Sequence, residues 1–251
     1  MIYFDNAATT FKKPKEVIDA INYALLNYTN SGRGAYRAAL DSGRMVYETR
    51  VKLAAFFGSN DPSKVIFTSN ATEALNITLF GLLHKGDHVI STVTEHNSVL
   101  RPLYKLESTK GVSIDFVGID ECGRLKYDEF EKYIRPNTKA IVINHISNVS
   151  GEIADIEYVG KLAKKHNLYL IVDASQSAGS INIDMTELGI DILCFTGHKS
   201  LFGPGGTGGI VINGDILLDT FKVGGSGVQS FNKCQPSEYP TRLECDCCLC
   251  N

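Results

Sequence analysis

Seven short apolar runs punctuate this chain: KVIFT (64–68), DHVIST (87–92), VSIDFVGI (112–119), KAIVIN (139–144), LYLIVD (168–173), DILCF (191–195) and GGIVIN (208–213). Most are separated by stretches of helical length and period. Ile156, Val159, Leu162, Ala163 and His166, for example, mark one helix face. Strands alternating with helices predict βαβ units and a largely parallel sheet. The runs are apolar on both faces, as strands are when helices cover both sides of a sheet. The expectation is an α/β fold, with a mostly parallel sheet of about seven strands and helices on both faces. Two helices precede the sheet. One follows Pro14, with Val17, Ile18, Ile21, Leu25 and Tyr28 at helical spacing, and the second runs from about Ala38 to Phe57. The expected organisation is an N-terminal arm (1–13), one large domain (14–230), and a tail (231–251) in which periodicity is lost.

Several function classes fall away early. Formal net charge is −3, so nothing in the charge balance favours nucleic acid or a membrane surface as partner. The opening MIYFDNAATT has neither the basic nor the apolar region of a secretory signal. No apolar run approaches the roughly 20 residues that span a bilayer. A cytoplasmic protein is expected, and the NxS/T triplets at Asn70, Asn76 and Asn148 then read as chance matches. Of the seven cysteines, Cys122, Cys194 and Cys234 are scattered, with Cys194 expected in the core.

Open α/β sheets bind ligands beyond the carboxyl ends of their strands. The residues standing there are chemically varied. Ser69-Asn70-Ala71-Thr72-Glu73 opens a helix after the first run, and Glu95-His96-Asn97 follows the second. His145 and Asn148 follow the fourth, Asp173 and Gln176 the fifth, and Thr196-Gly197-His198-Lys199 the sixth. Each has a plain reading: an ordinary helix cap, a satisfied loop histidine, a turn asparagine, a strand-end carboxylate, a surface lysine before the glycine-rich GPGGTGG. Each also has a chemical one. A desolvated lysine loses its proton more readily and attacks aldehydes. A buried carboxylate needs a partner such as a protonated ring nitrogen. A helix N-terminus with a threonine hydroxyl holds phosphate. One ligand satisfies all of these readings together: pyridoxal 5′-phosphate.

The motifs YFDNAATT (3–10), SGRGAYRAA (31–39), FTSNATEALN (67–76), EHNS (95–98), NHISNVSG (144–151), VDASQSAG (172–179), FTGHKSLFGPGGTGG (195–209) and TRLE (241–244) occur in this order. In them the chain resembles the class V aminotransferases, in the cysteine desulfurase and selenocysteine lyase branch. The resemblance implies the large domain of a type I pyridoxal-phosphate transferase. It makes Lys199 the Schiff-base lysine and His96 the ring-stacking, proton-transferring histidine. Asp173 would hold the ring nitrogen and Gln176 the phenolic oxygen, while Asn148 would reach that oxygen or the substrate. Ala71, Thr72, Thr196 and His198 would bind the phosphate. It also implies an amino acid substrate (L-cysteine or L-selenocysteine), a sulfur-accepting protein partner and a homodimer, with the Gly224-Gly225-Ser226 loop near the neighbour's cofactor.

Two departures stand out. Members of the family are usually longer, and their smaller C-terminal domain carries the sulfur-accepting cysteine and an arginine for the substrate carboxylate. That domain is expected to be missing here. After TRLE comes CDCCLCN, where the family has a small-residue turn. The expected function is that of a cysteine desulfurase-like enzyme with impaired sulfur transfer. The alternatives are another class V activity, such as selenocysteine lyase or an aminotransferase, or a thiol- or metal-binding role for the cysteine-rich ending. No metal site is expected, because the ending lacks the usual zinc-ligand spacing. A nucleotide binder built on GPGGTGG is disfavoured, since the loop lacks the Gly-Lys-Ser/Thr of a P-loop.

Overall fold

A computed structural model describes residues 2–32, 34–229 and 231–245. Two helices come first, α1 (Lys15–Asn27) and α2 (Arg37–Phe56). Strands and helices then alternate: β1 (Val65–Thr68), α3 (Ala71–Leu82), β2 (His88–Thr92), α4 (Asn97–Lys110), β3 (Ser113–Val117), α5 (Tyr127–Lys132), β4 (Thr138–Asn144), α6 (Ile156–Lys165), β5 (Tyr169–Asp173), α7 (Met185–Leu188), β6 (Ile192–Thr196) and β7 (Gly208–Ile212). All seven apolar runs are strands of one sheet, in the order β1-β7-β6-β5-β4-β2-β3. β2 pairs in parallel with β3 and β4, β4 with β5, and β5 with β6. β7 alone runs against its neighbours, β6 and β1. The segment 197–207 joins β6 to β7 with no helix of its own, and without a crossover the strand returns antiparallel.

The pleat sends alternate residues to opposite faces, and both faces are buried. Ile141 and Ile143 of β4, with Leu170 and Val172 of β5, pack with Ala54 and Phe57 at the end of α2, Phe130 of α5, Val159 of α6 and Met185 of α7. Ala140, Val142 and Ile171 face the other way, against Leu75 and Leu79 of α3 and Leu103 and Leu106 of α4. Each of the larger of these side chains, withdrawn from water, contributes about 1.5–3 kcal/mol. β3, at the sheet's edge, is only half-buried over most of its length.

α1 forms where its period predicts, yet none of its residues is buried: Ile18 is 48% and Leu25 79% exposed. Local spacing forms the helix, but no described element covers its apolar stripe. The chain after β7 has no helix or strand among the described residues. It is still tied down: Leu243 is buried in the second cluster, and Arg242 Nε donates to Leu218 O at 2.7 Å. Cys247, Cys248 and Cys250 lie outside the described residues, so the metal-binding reading of the ending falls there. Among the described residues, no helix is long and apolar enough to cross a membrane.

Candidate active site

The carboxyl ends of β1, β2, β4, β5 and β6 all open on one cavity of about 430 Å³. The chain switches direction across the sheet between β2 and β4, which leaves a crevice there. Every site residue expected from the sequence lines this cavity: Ala71, Thr72, His96, Asn148, Asp173, Gln176, Thr196, His198 and Lys199. His145 does not. It is buried, and burial pushes its imidazole down to about 4.

One end of the cavity is the start of α3. Asn70 Oδ1 accepts from Glu73 N at 2.8 Å, and Glu73 Oε2 accepts from Ser69 N at 2.7 Å. This reciprocal cap fixes the first turn, while the amides of Ala71 and Thr72 have no carbonyl one turn behind them. Gly208 of β7 is needed beside it, because a Cβ there would stand 2.8 Å from the Asn70 backbone.

His96 caps α4 with its ring: Nδ1 accepts from Ser98 N at 3.1 Å. Its neighbour Glu95 is buried behind the cavity. Glu95 Oε1 accepts from Thr92 Oγ1 at 2.7 Å and from Asn144 N at 2.9 Å, which ties the β2–α4 turn to the end of β4. Asn144 returns a bond from Nδ2 to Thr94 O at 2.7 Å. Burial pushes the Glu95 carboxyl up to about 8; these two bonds pull it down and the charge of Asp173 pushes it further up. A carboxyl raised in the folded state stabilises the fold fully below its ordinary value of 4.5, and that contribution is lost as pH rises toward 8. Glu95→Gln cannot ionise. Between pH 5 and 8 the wild type is therefore expected to lose roughly 3 kcal/mol relative to Glu95→Gln, read by urea denaturation across that range. Parallel pH profiles for the two proteins contradict this assignment.

Asp173 ends β5 opposite Asn144 in the β4–β5 register and is 4% exposed. Its Oδ1 accepts from Ser175 N at 2.9 Å and from Ser175 Oγ at 2.5 Å, so both bonds fall on one oxygen. Lys199 is half-buried just beyond β6. Desolvation lowers its pKa from the usual lysine value, and the charge of Asp173 opposes that shift. His198 is pushed down by burial and by the cations Lys199 and Lys13.

The roof was not foreseen in the sequence. The N-terminal arm lies over the 197–200 turn: Thr10 N donates to His198 O at 3.1 Å, Thr10 Oγ1 to Lys199 O at 2.8 Å, and Lys13 Nζ to His198 O at 3.1 Å. Asp5, Ala7 and Ala8 thereby line the cavity, and Gln176 Nε2 donates to Ala7 O at 2.9 Å. The lining residues Ser98, Asn144 and Ser175 were also missed. Their signal was position alone, since each stands at or just past a strand end or in a helix's first turn.

The family model for class-V aminotransferases matches residues 2–245. A probable cysteine desulfurase of Pyrococcus abyssi is 36% identical over 97% of this chain and 62% of its own length. Among solved structures, the apo cysteine desulfurase of Thermococcus onnurineus superposes with a TM-score of 0.88 at 32% identity, covering 98% of this chain and 62% of that one. The cysteine complex of SspA superposes at 0.83 with 29% identity, over 96% of this chain and 69% of that one. The chain spans about 62% of the length of the Pyrococcus relative it matches.

Proposed function

Because this chain belongs to the class-V aminotransferase family, we propose that its cavity holds pyridoxal 5′-phosphate and that the protein is a cysteine desulfurase-like enzyme acting on L-cysteine. The observation that carries this reading is the placing of Lys199 and Asp173 in one half-enclosed cavity, with the start of α3 at its end. The donor set suits the group. The amides of Ala71 and Thr72, with Thr196 and His198, suit a phosphate. Asp173 has one oxygen occupied by Ser175 and the other available to a protonated ring nitrogen. Gln176 spends one amide proton on Ala7 O and keeps a second for the phenolic oxygen, beside Asn148. The His96 ring offers a stacking face.

When bound, the cofactor supplies an aldehyde for amine exchange and an electron-poor ring that stabilises a carbanion at the substrate's α-carbon. The chain's own residues do the rest. Asp173 keeps the proton on the ring nitrogen. Lys199 Nζ, partly desolvated, is poised to form the covalent link and then to take the α-proton. Asp5, Ala7 and Ala8 of the arm line the site from above.

Among the described residues, none that lines the cavity is a cysteine. Cys194 is in the core, where burial pushes its thiol up to about 12, so it is no nucleophile. A sulfur-acceptor protein belongs to this reading, and selenocysteine cleavage is the second one. A homodimer belongs to the same proposal.

Titration with pyridoxal 5′-phosphate is expected to produce a saturable visible absorbance band with one site per chain. Alanine should then form from L-cysteine in the presence of dithiothreitol, and faster from L-selenocysteine if the second reading holds. Absence of any saturable band removes the proposal. Transfer of the amino group to a keto acid, without alanine release from cysteine, replaces it with an aminotransferase.

A further inference from the structure

The hydroxyl of Ser98 stands between two groups that face different parts of the cavity. Ser98 Oγ is 2.8 Å from His96 Nδ1 and 2.8 Å from Thr72 Oγ1. The Ser98 amide also points at Nδ1, at 3.1 Å. That amide can only donate, so Nδ1 is an acceptor and the neutral ring carries its proton on Nε2.

A serine hydroxyl has one proton to give. It can go to His96 Nδ1 or to Thr72 Oγ1, not to both. Without an anion at the start of α3, Thr72 donates to Ser98 and Ser98 donates to Nδ1, so every proton in the chain has an acceptor. An anion held by the amides of Ala71 and Thr72 takes the Thr72 proton for itself. Thr72 Oγ1 then accepts from Ser98, and Nδ1 keeps only the longer bond from the amide. A ring nitrogen relieved of a donor binds a proton more readily.

We propose that Ser98 is a positioning residue that couples anion binding at the Ala71–Thr72 helix start to protonation of His96. The inference rests on the reading of that helix start as a phosphate site. By linkage it works both ways: protonated His96 strengthens anion binding by the same factor that the anion strengthens protonation. The other charged groups around the ring are Asp5 of the arm, Glu95 beside it, Asp173 after β5, His198 and Lys199 after β6, and Arg101 and Lys105 on α4. Their direct charge effects, and that of the anion itself, act with or without the Ser98 hydroxyl. Comparing wild type with Ser98→Ala therefore isolates the relay.

The test uses protein labelled with ¹³C at histidine Cε1. The chain has six histidines, and His96→Gln identifies the signal. The titration midpoint of His96 is followed with and without inorganic phosphate, and the amide resonances of Ala71 and Thr72 report phosphate binding independently. Phosphate is expected to raise the midpoint by about 0.5–1 pH unit more in wild type than in Ser98→Ala. Ser98→Thr, which keeps a hydroxyl, should restore the difference. Equal shifts in wild type and Ser98→Ala overturn the coupling while leaving the phosphate site standing. Amides of Ala71 and Thr72 that do not respond to phosphate overturn the site and the coupling together.

Discussion

Lys199→Ala is expected to fold as the wild type does and to lose turnover of L-cysteine by about a thousandfold or more. The side chain is half-buried at the cavity wall, and its backbone carbonyl, not its amine, is what holds Thr10 of the arm at 2.8 Å. Truncation at Cβ thus removes the amine of the proposed nucleophile while keeping the roof. Borohydride treatment of the loaded wild type should leave a pyridoxyl mass increment on Lys199, and the variant should carry none. Lys199→Arg keeps a cation near Asp173 but not an amine that can be deprotonated, and it should fail equally. Wild-type turnover by either variant would falsify the assignment of Lys199.

The second large effect is on stability. Arg50 of α2 is 6% exposed and meets Glu244 through two parallel bonds, of 2.8 Å and 2.7 Å. Its guanidinium also donates to Val65 O and lies 4.3 Å from the Phe67 ring centroid. Glu244 Oε1 accepts in addition from Phe67 N at 2.7 Å. Glu244→Ala leaves a buried guanidinium and a strand amide without their partner, which costs about 3–5 kcal/mol. Urea denaturation at neutral pH reads this directly. A double replacement, Arg50→Met with Glu244→Leu, removes both charges and should recover the part of the loss that comes from the stranded guanidinium, while the Phe67 amide stays unpaired in both variants. A loss below about 1 kcal/mol in Glu244→Ala contradicts a desolvated pair. So does a double variant no better than the single one.

Legibility differed by kind of residue. The seven strands were readable because a strand buried on both faces must be a short apolar run, and that demand is local. The nine expected cavity residues were readable because a parallel sheet gathers whatever follows its strands at one edge. Asp173 after LYLIVD and Lys199 after DILCF needed no knowledge of strand order to be placed on that edge. α1 shows the limit of the same reasoning. Its spacing forms a helix, but spacing cannot say whether anything covers the stripe, and here nothing described does.

Glu95 marks another limit. Its letter stands beside His96 in EHNS, yet its raised pKa comes from enclosure between the ends of β2 and β4. Neither strand reveals its neighbour in the sheet. The Ser98 hydroxyl is two residues from His96 but touches Thr72, on a helix from a different βαβ unit.

Period and strand-end chemistry along the chain thus determined the α/β class, the number of strands and the edge on which the cavity lies. Those features depend on interactions within a few residues of one another or on a rule common to all parallel sheets. Tertiary structure alone decided the order β1-β7-β6-β5-β4-β2-β3, the reversed β7, the arm over His198 and Lys199, and the clasp of Arg50 on Glu244 across 194 positions. Contacts of that range depend on which surfaces are left to bury once the local elements exist, and no short stretch of sequence contains that information.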